Sequence, residues 1–299
     1  MKIVFMGTPE FAVASLQALI DAGHEVKAVF TQSDKPQGRK QILTPPPVKV
    51  LAQEYSIPVY QPRTLRDGSS DALIRACEPD FIVVAAYGKL LPKSVLAIPK
   101  KACVNVHGSL LPKYRGAAPI QWSVINGDAK TGVTTMLMAE GMDEGDLLLR
   151  LETPIGPEDT AGDLFDRLAD LGASLLLETL ERFDSIVPQK QDPQEATVAP
   201  ILRKEMAQID FSRSAGSLNP FIRGMNPWPV AWFLYEGKRM KVFETEICED
   251  SGPAGEAFEK DGCLAVYCGE GALILREIQP ENGKRMSGED YLRGHPLKG

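Results

Sequence analysis

The run Phe81-Ile82-Val83-Val84-Ala85-Ala86 is apolar at every position. A strand with one wet face alternates. A strand without alternation is buried on both faces, as in a parallel sheet covered by helices. The chain opens on another apolar run, Lys2-Ile3-Val4-Phe5-Met6. A helical pattern follows, with Phe11, Ala14, Leu16, Ala18, Leu19 and Ile20 on one face, closed by Gly23. Glu25 to Phe30 is the next strand. Strand, helix, strand reads as a right-handed crossover between parallel strands. Thr8 is expected to cap the helix, Pro9 to occupy its first turn and Glu10 to complement its N-terminus. Gly7 stands alone at the turn, without the G-x-G-x-x-G spacing that a dinucleotide pyrophosphate needs. The fold class expected is α/β, with a Rossmann-like N-terminal domain.

A strand over 102–107 comes next, ending in Asn105-Val106-His107. Residues two apart on a strand share a face, so Asn105 and His107 lie side by side. Gly108 ends the strand, and Pro112 and Gly116 turn the chain after it. In open α/β sheets ligands bind at this edge. A histidine near a strand end can also serve only to bond backbone. The other two histidines, His24 and His295, sit at a helix end and in the C-terminal tail. Only His107 stands at a sheet mouth beside a second polar side chain, which points to catalysis.

The stretch Asn105-Val106-His107-Gly108-Ser109-Leu110-Leu111-Pro112 resembles the signature of the folate-dependent formyltransferases, most closely those acting on methionyl-tRNA. Four further motifs carry the resemblance: Gly7-Thr8-Pro9-Glu10-Phe11-Ala12, Ala86-Tyr87-Gly88-Lys89-Leu90-Leu91-Pro92, Arg115-Gly116-Ala117-Ala118-Pro119-Ile120-Gln121 and Asn226-Pro227-Trp228-Pro229. They span nearly the whole chain. The resemblance implies transfer of a formyl group from 10-formyltetrahydrofolate, a consumed co-substrate, to the α-amino group of methionine on initiator tRNA. A small-amine formyltransferase is the nearest alternative. A dinucleotide oxidoreductase and a non-catalytic RNA-binding module are the others weighed.

Formyl transfer to an amine passes through a tetrahedral oxyanion, which needs preorganised donors. Asn105 offers an amide N–H and His107 a second donor able to move a proton. An imidazole in that role needs an orienting carboxylate. The residues alone leave Asp128, Glu140, Asp143, Glu144 and Asp146 open; the resemblance implies Asp143. It also implies that Ser109, Leu110, Leu111 and Pro112 lie along the folate, and that Tyr87, Gly88 and Leu90 with the 139–143 loop enclose its pterin. Leu110 and Leu111 equally suit anchoring of the loop into the core.

Residues 31–47 form a long polar loop, either functional or a solvated excursion. Arg39 matches the family's basic position there, implied to engage the tRNA acceptor end, and Lys35 and Lys40 flank it. After 147–151 a long amphipathic helix is expected over 160–183, with Thr160 and Asp163 forming a capping box. Pro188, Pro193 and Pro200 then break the pattern, and 185–205 reads as a linker between a catalytic domain over 1–184 and a β domain over 206–299. Short apolar runs separated by turn residues make the second domain a small β domain, expected to be a barrel; the resemblance implies an OB-like barrel that binds tRNA.

The totals bound the remainder. The chain has 299 residues, 43% hydrophobic and 24% charged, with a net charge of −7. That charge counts against broad nonspecific nucleic-acid binding. Five cysteines without a Cys-x-x-Cys indicate neither a disulfide framework nor a zinc site, and no metal is expected. No apolar run approaches a membrane span, and no leader segment precedes the first strand. A cytoplasmic monomer without membrane contact is the expectation.

Overall fold

The computed structural model describes residues 1–38 and 40–297. In chain order come β1 (Lys2–Gly7), α1 (Glu10–Asp21), β2 (Glu25–Phe30), β3 (Lys35–Gln37), β4 (Ile42–Thr44), α2 (Pro47–Glu54), β5 (Val59–Tyr60), α3 (Asp71–Ala76) and β6 (Phe81–Ala85). Next are α4 (Lys93–Leu96), β7 (Ala102–His107), β8 (Arg115–Gly116), α5 (Pro119–Ile125), β9 (Lys130–Leu137), β10 (Leu147–Pro154), α6 (Ala161–Arg182) and β11 (Val198–Ala199). The chain divides into two compact units. The first holds Met1–Pro119, Thr131–Thr153 and Phe165–Ala199; the second holds Ile120–Lys130, Pro154–Leu164 and the residues from Pro200 onward.

The first unit is built on a seven-stranded sheet of order β10-β9-β7-β6-β1-β2-β5. From β7 to β5 the pairs are parallel, and β9 runs antiparallel to β7. Every residue of β6 is buried, as its unbroken apolar run requires. The register sets the mouth: Gly7 pairs with Ala85, and Ala85 with Val106. The segments after β1, β6 and β7 therefore leave the sheet at one level.

The two faces at β7 differ. Val106 lies opposite Thr135, and Thr135 Oγ1 shares a 2.7 Å hydrogen bond with Thr179 of α6. A Cβ on Gly172 of α6 would stand 2.9 Å from Val106 Cγ1, so that helix rests on this face at a distance only glycine allows. Asn105 and His107 lie on the other face, opposite Met136 and Thr134.

Three local expectations meet the structure differently. Thr160 and Asp163 form the capping box: Thr160 N donates to Asp163 Oδ2 (2.9 Å) and Asp163 N to Thr160 Oγ1 (3.2 Å). Thr8 does not cap α1, whose N-cap is Pro9. Its hydroxyl instead donates to the Tyr87 carbonyl (3.2 Å), because the turn after β1 aims it at the neighbouring β6 exit. The 31–47 loop is not structureless, since β3 and β4 pair antiparallel within it.

The second unit contains α7 (Ala215–Gly224), β12 (Ala231–Tyr235), β13 (Lys238–Cys248), β14 (Ala257–Lys260), β15 (Cys263–Tyr267), β16 (Ala272–Pro280), β17 (Met286–Ser287) and α8 (Gly288–Gly294). Its six-stranded sheet has the order β12-β13-β16-β15-β14, with β17 on β16, and its pairs are antiparallel. Val242, Leu264, Val266, Leu273, Leu275 and Ile278 are wholly buried and form its core. This is the β domain that the turn-separated apolar runs imply, with two helices they did not mark: α7 lies against β13 and α8 against β15.

Candidate active site

At the end of β7, Asn105 is 7% exposed and His107 6%. The Asn105 side-chain amide has no hydrogen-bond partner among the described residues. A side-chain amide without such a partner at the sheet mouth is free to donate to a group that arrives there.

His107 is hydrogen-bonded at one ring nitrogen and faces a carboxylate with the other. A carbonyl oxygen only accepts, so Nε2 carries the hydrogen and donates to the Tyr114 carbonyl at 2.9 Å. Tyr114 has a positive φ of 63°, which swings that carbonyl back toward β7. Nδ1 faces Asp143 Oδ2 at 3.7 Å. The same carboxylate oxygen accepts from Gly116 N at 2.8 Å. Gly116 is needed there. Its φ is 117°, and a Cβ would stand 2.8 Å from the Ala199 carbonyl oxygen. Of the five acids open at the sequence level, Asp143 is the one paired with the histidine.

The Ser109–Pro112 loop folds over the same face. Thr134 Oγ1 donates to the Ser109 carbonyl (2.7 Å) and accepts from Leu111 N (3.2 Å), and Ser109 Oγ donates to the Lys113 carbonyl (2.7 Å). Leu111 is fully buried with Met136 and Leu147, so its side chain anchors the loop. Leu110 is half-buried.

At the neighbouring exit, Tyr87 is 1% exposed, and its carbonyl accepts from Thr8 Oγ1 and from Gln32 Nε2 at 3.0 Å. Burial pushes its phenol up to about 12, and the hydroxyl has no partner among the described residues. Gly88, with φ of 77°, and Leu90 are exposed. Lys35 and Lys40 are exposed at the β3–β4 hairpin. Arg39 lies outside the described residues. Asp34 is tied to Lys49 Nζ (2.9 Å) and Gln61 Nε2 (2.8 Å) on the same stretch, and those bonds hold its carboxyl below the usual range.

Sequence reasoning missed three groups. Thr134 holds the signature loop. Thr197 Oγ1 accepts from Tyr114 N at 2.9 Å. Gln191 lies against the Asp143 loop: its Nε2 donates to the carbonyls of Asp143 (2.8 Å) and Gly145 (2.7 Å). The threonine-rich character of β9 was a signal for the first. The other two lie in the stretch expected to be a linker, where no periodicity marked them. A cavity of ≈ 530 Å³ opens beside them, lined by Arg115, Leu137, Met138, Glu144, Asp146 and Gln191 among others. Among the described residues no group of His, Cys, Asp or Glu is placed to hold a metal, and no helix is long and apolar enough to cross a membrane.

Two family models match the chain: formyl transferase over residues 1–180, and formyl transferase, C-terminal domain, over 201–296. The methionyl-tRNA formyltransferase of Citrifermentans bemidjiense is 49% identical over 302 residues, covering 100% of this chain and 95% of the relative. That of Alkaliphilus oremlandii is 48% identical, covering 100% and 98%. Among solved structures, WlaRD, a sugar 3N-formyl transferase crystallised with dTDP and 5-N-formyl-THF, is similar in fold. Its TM-score is 0.70 at 17% identity, over 95% of this chain and 99% of that one.

Proposed function

The chain belongs to the formyl transferase family, and on that premise we propose that it formylates the α-amino group of methionine on initiator tRNA, with 10-formyltetrahydrofolate as donor. Full-length identity near one half to methionyl-tRNA formyltransferases supports that substrate over a small amine. The sugar formyltransferase likeness is one of fold alone. The reaction belongs in the cytoplasm, and the active species is a monomer.

The observation that carries the mechanism is the unpaired Asn105 amide beside the His107–Asp143 pair. The amine attacks the formyl carbon, a C–N bond forms, and negative charge collects on the formyl oxygen. Asn105 Nδ2–H donates to that oxygen. The amine nitrogen, now cationic, gives up a proton to the His107–Asp143 pair. The bond from the formyl carbon to the donor nitrogen breaks, and the pair returns a proton to that nitrogen. Asn105, His107 and Asp143 are the residues proposed for chemistry. Ser109, Leu110, Pro112 and the Tyr87–Leu90 exit are proposed to bound the donor, with Leu111 as the anchor beneath.

The chain is proposed to act as a catalytic domain over 1–184 and a tRNA-binding β domain over 206–299. Arg39, Lys35 and Lys40 are proposed to hold the acceptor end. Formyl incorporation from labelled donor, measured with charged initiator tRNA and in parallel with an amino-sugar nucleotide, tests the substrate. Incorporation into the sugar alone would overturn it.

A further inference from the structure

The segment after α6 runs along the β10 edge of the sheet and past the loop that follows β7. Leu147 N and O exchange hydrogen bonds with Gln189 O and N at 2.8 and 2.9 Å. Arg115 N donates to Thr197 O at 2.8 Å, and β11 then pairs in parallel with β8. The strap thus fastens to two arms that must meet: the one carrying Asp143 and the one carrying Tyr114 and Gly116.

One side chain joins the arms directly. Gln191 Oε1 accepts from Arg115 Nε at 3.0 Å and Nη2 at 2.7 Å, while its Nε2 donates to Asp143 O and Gly145 O. Both N–H donors and both lone pairs of the amide are used. Asp143 needs such a hold. Its φ of 52° is a conformation that non-glycine residues rarely keep unless their surroundings enforce it. The carboxylate itself touches only Gly116 N and His107 among the described residues.

We propose that Gln191 is a positioning residue: by fixing the Asp143 backbone to Arg115, it sets the Asp143 carboxylate against His107. The inference rests on the role assigned to Asp143 above. Gln191 touches no reacting atom. Its effect on turnover runs through Asp143 and disappears when that carboxylate is gone.

The test uses the full-length chain, labelled 10-formyltetrahydrofolate and methionyl-tRNA. Gln191→Leu keeps the volume and removes all four bonds. Gln191→Glu keeps the acceptor toward Arg115 and removes the two donated bonds, which serves if the leucine variant does not fold. Each is made alone and combined with Asp143→Asn. In the native background kcat is expected to fall by about 10-fold to 100-fold, the range for an ångström-scale misplacement, with KM for both substrates little changed. In the Asp143→Asn background the same change is expected to cost less than about twofold. Equal losses in the two backgrounds, a change confined to KM, or unchanged kcat in the native background would each overturn the proposal. A wild-type chain inactive on methionyl-tRNA would instead overturn the proposed function, so the two failures are separable.

Discussion

Thr134→Val replaces one buried hydroxyl by a methyl group at nearly constant volume. Thr134 is wholly buried, and its hydroxyl serves two backbone groups of the signature loop, the Ser109 carbonyl and the Leu111 N–H. Valine leaves both without that partner in a region closed to water. An unsatisfied buried group costs about 1–3 kcal/mol, so two cost about 2–6 kcal/mol. The extra methyl returns about 1 kcal/mol of apolar burial. The net expectation is a loss of about 1–5 kcal/mol. Urea unfolding of the full chain, followed by far-UV circular dichroism, measures it. The loop begins two residues after His107, so kcat is expected to fall as well. A loss below about 0.5 kcal/mol, the usual scatter for a change that touches nothing, would refute the reasoning. It would mean that the loop does not depend on β9 for its backbone pairing.

Asp143→Asn keeps the shape of the side chain and removes its charge; kcat is expected to fall by about 10² or more, and full activity would shift the role to another acid of the 140–146 loop. Alanine at Lys35, Arg39 and Lys40 together should weaken tRNA binding and make its salt dependence shallower by about 0.7–0.9 unit for each phosphate no longer neutralised, with folate affinity unchanged; an unchanged slope would leave the hairpin without a tRNA role. Burial pushes the Cys103 and Cys268 thiols up to about 12 and about 11, so both stay protonated and unreactive toward a disulfide reagent at pH 8 until the chain unfolds. Prompt labelling of Cys103 in the native protein would contradict its place in the core. The same shift makes the thiols' contribution to stability full below about pH 9, where the unfolded thiols begin to ionise, and lost as pH climbs toward about 12.

The α/β core and the β7 pair were legible because they are built from local rules. The uninterrupted apolar run at Phe81–Ala85 marked a strand buried on both faces, and alternation in β7 put Asn105 and His107 on one face. Thr160 and Asp163 gave the start of α6, since a capping box needs only residues three apart. Asp143 was different. Five acids stood near in sequence, and only the resemblance separated them. Its pairing with His107 depends on a left-handed turn and on Gly116 from another loop, and neither leaves a periodic trace.

The same reason explains what was misread. Thr8 has the composition of a cap, yet the parallel register places the Tyr87 carbonyl within its reach, and that long-range partner won over the local one. Gln191 and Thr197 sit in a proline-rich stretch without periodicity, which reads as linker. Their bonds run to residues 46 to 83 positions away, far beyond the reach of any sequence window.

The most direct measurement is single-turnover formyl transfer to methionyl-tRNA by Asn105→Ala beside the wild-type chain, with both shown by circular dichroism to be equally folded. The Asn105 amide has no partner among the described residues, so its removal should leave the fold alone and take one donor from the oxyanion. The expected result is a rate lower by about 10²–10³, with donor affinity little changed. A variant that transfers formyl at nearly the wild-type rate would contradict the assignment of this site.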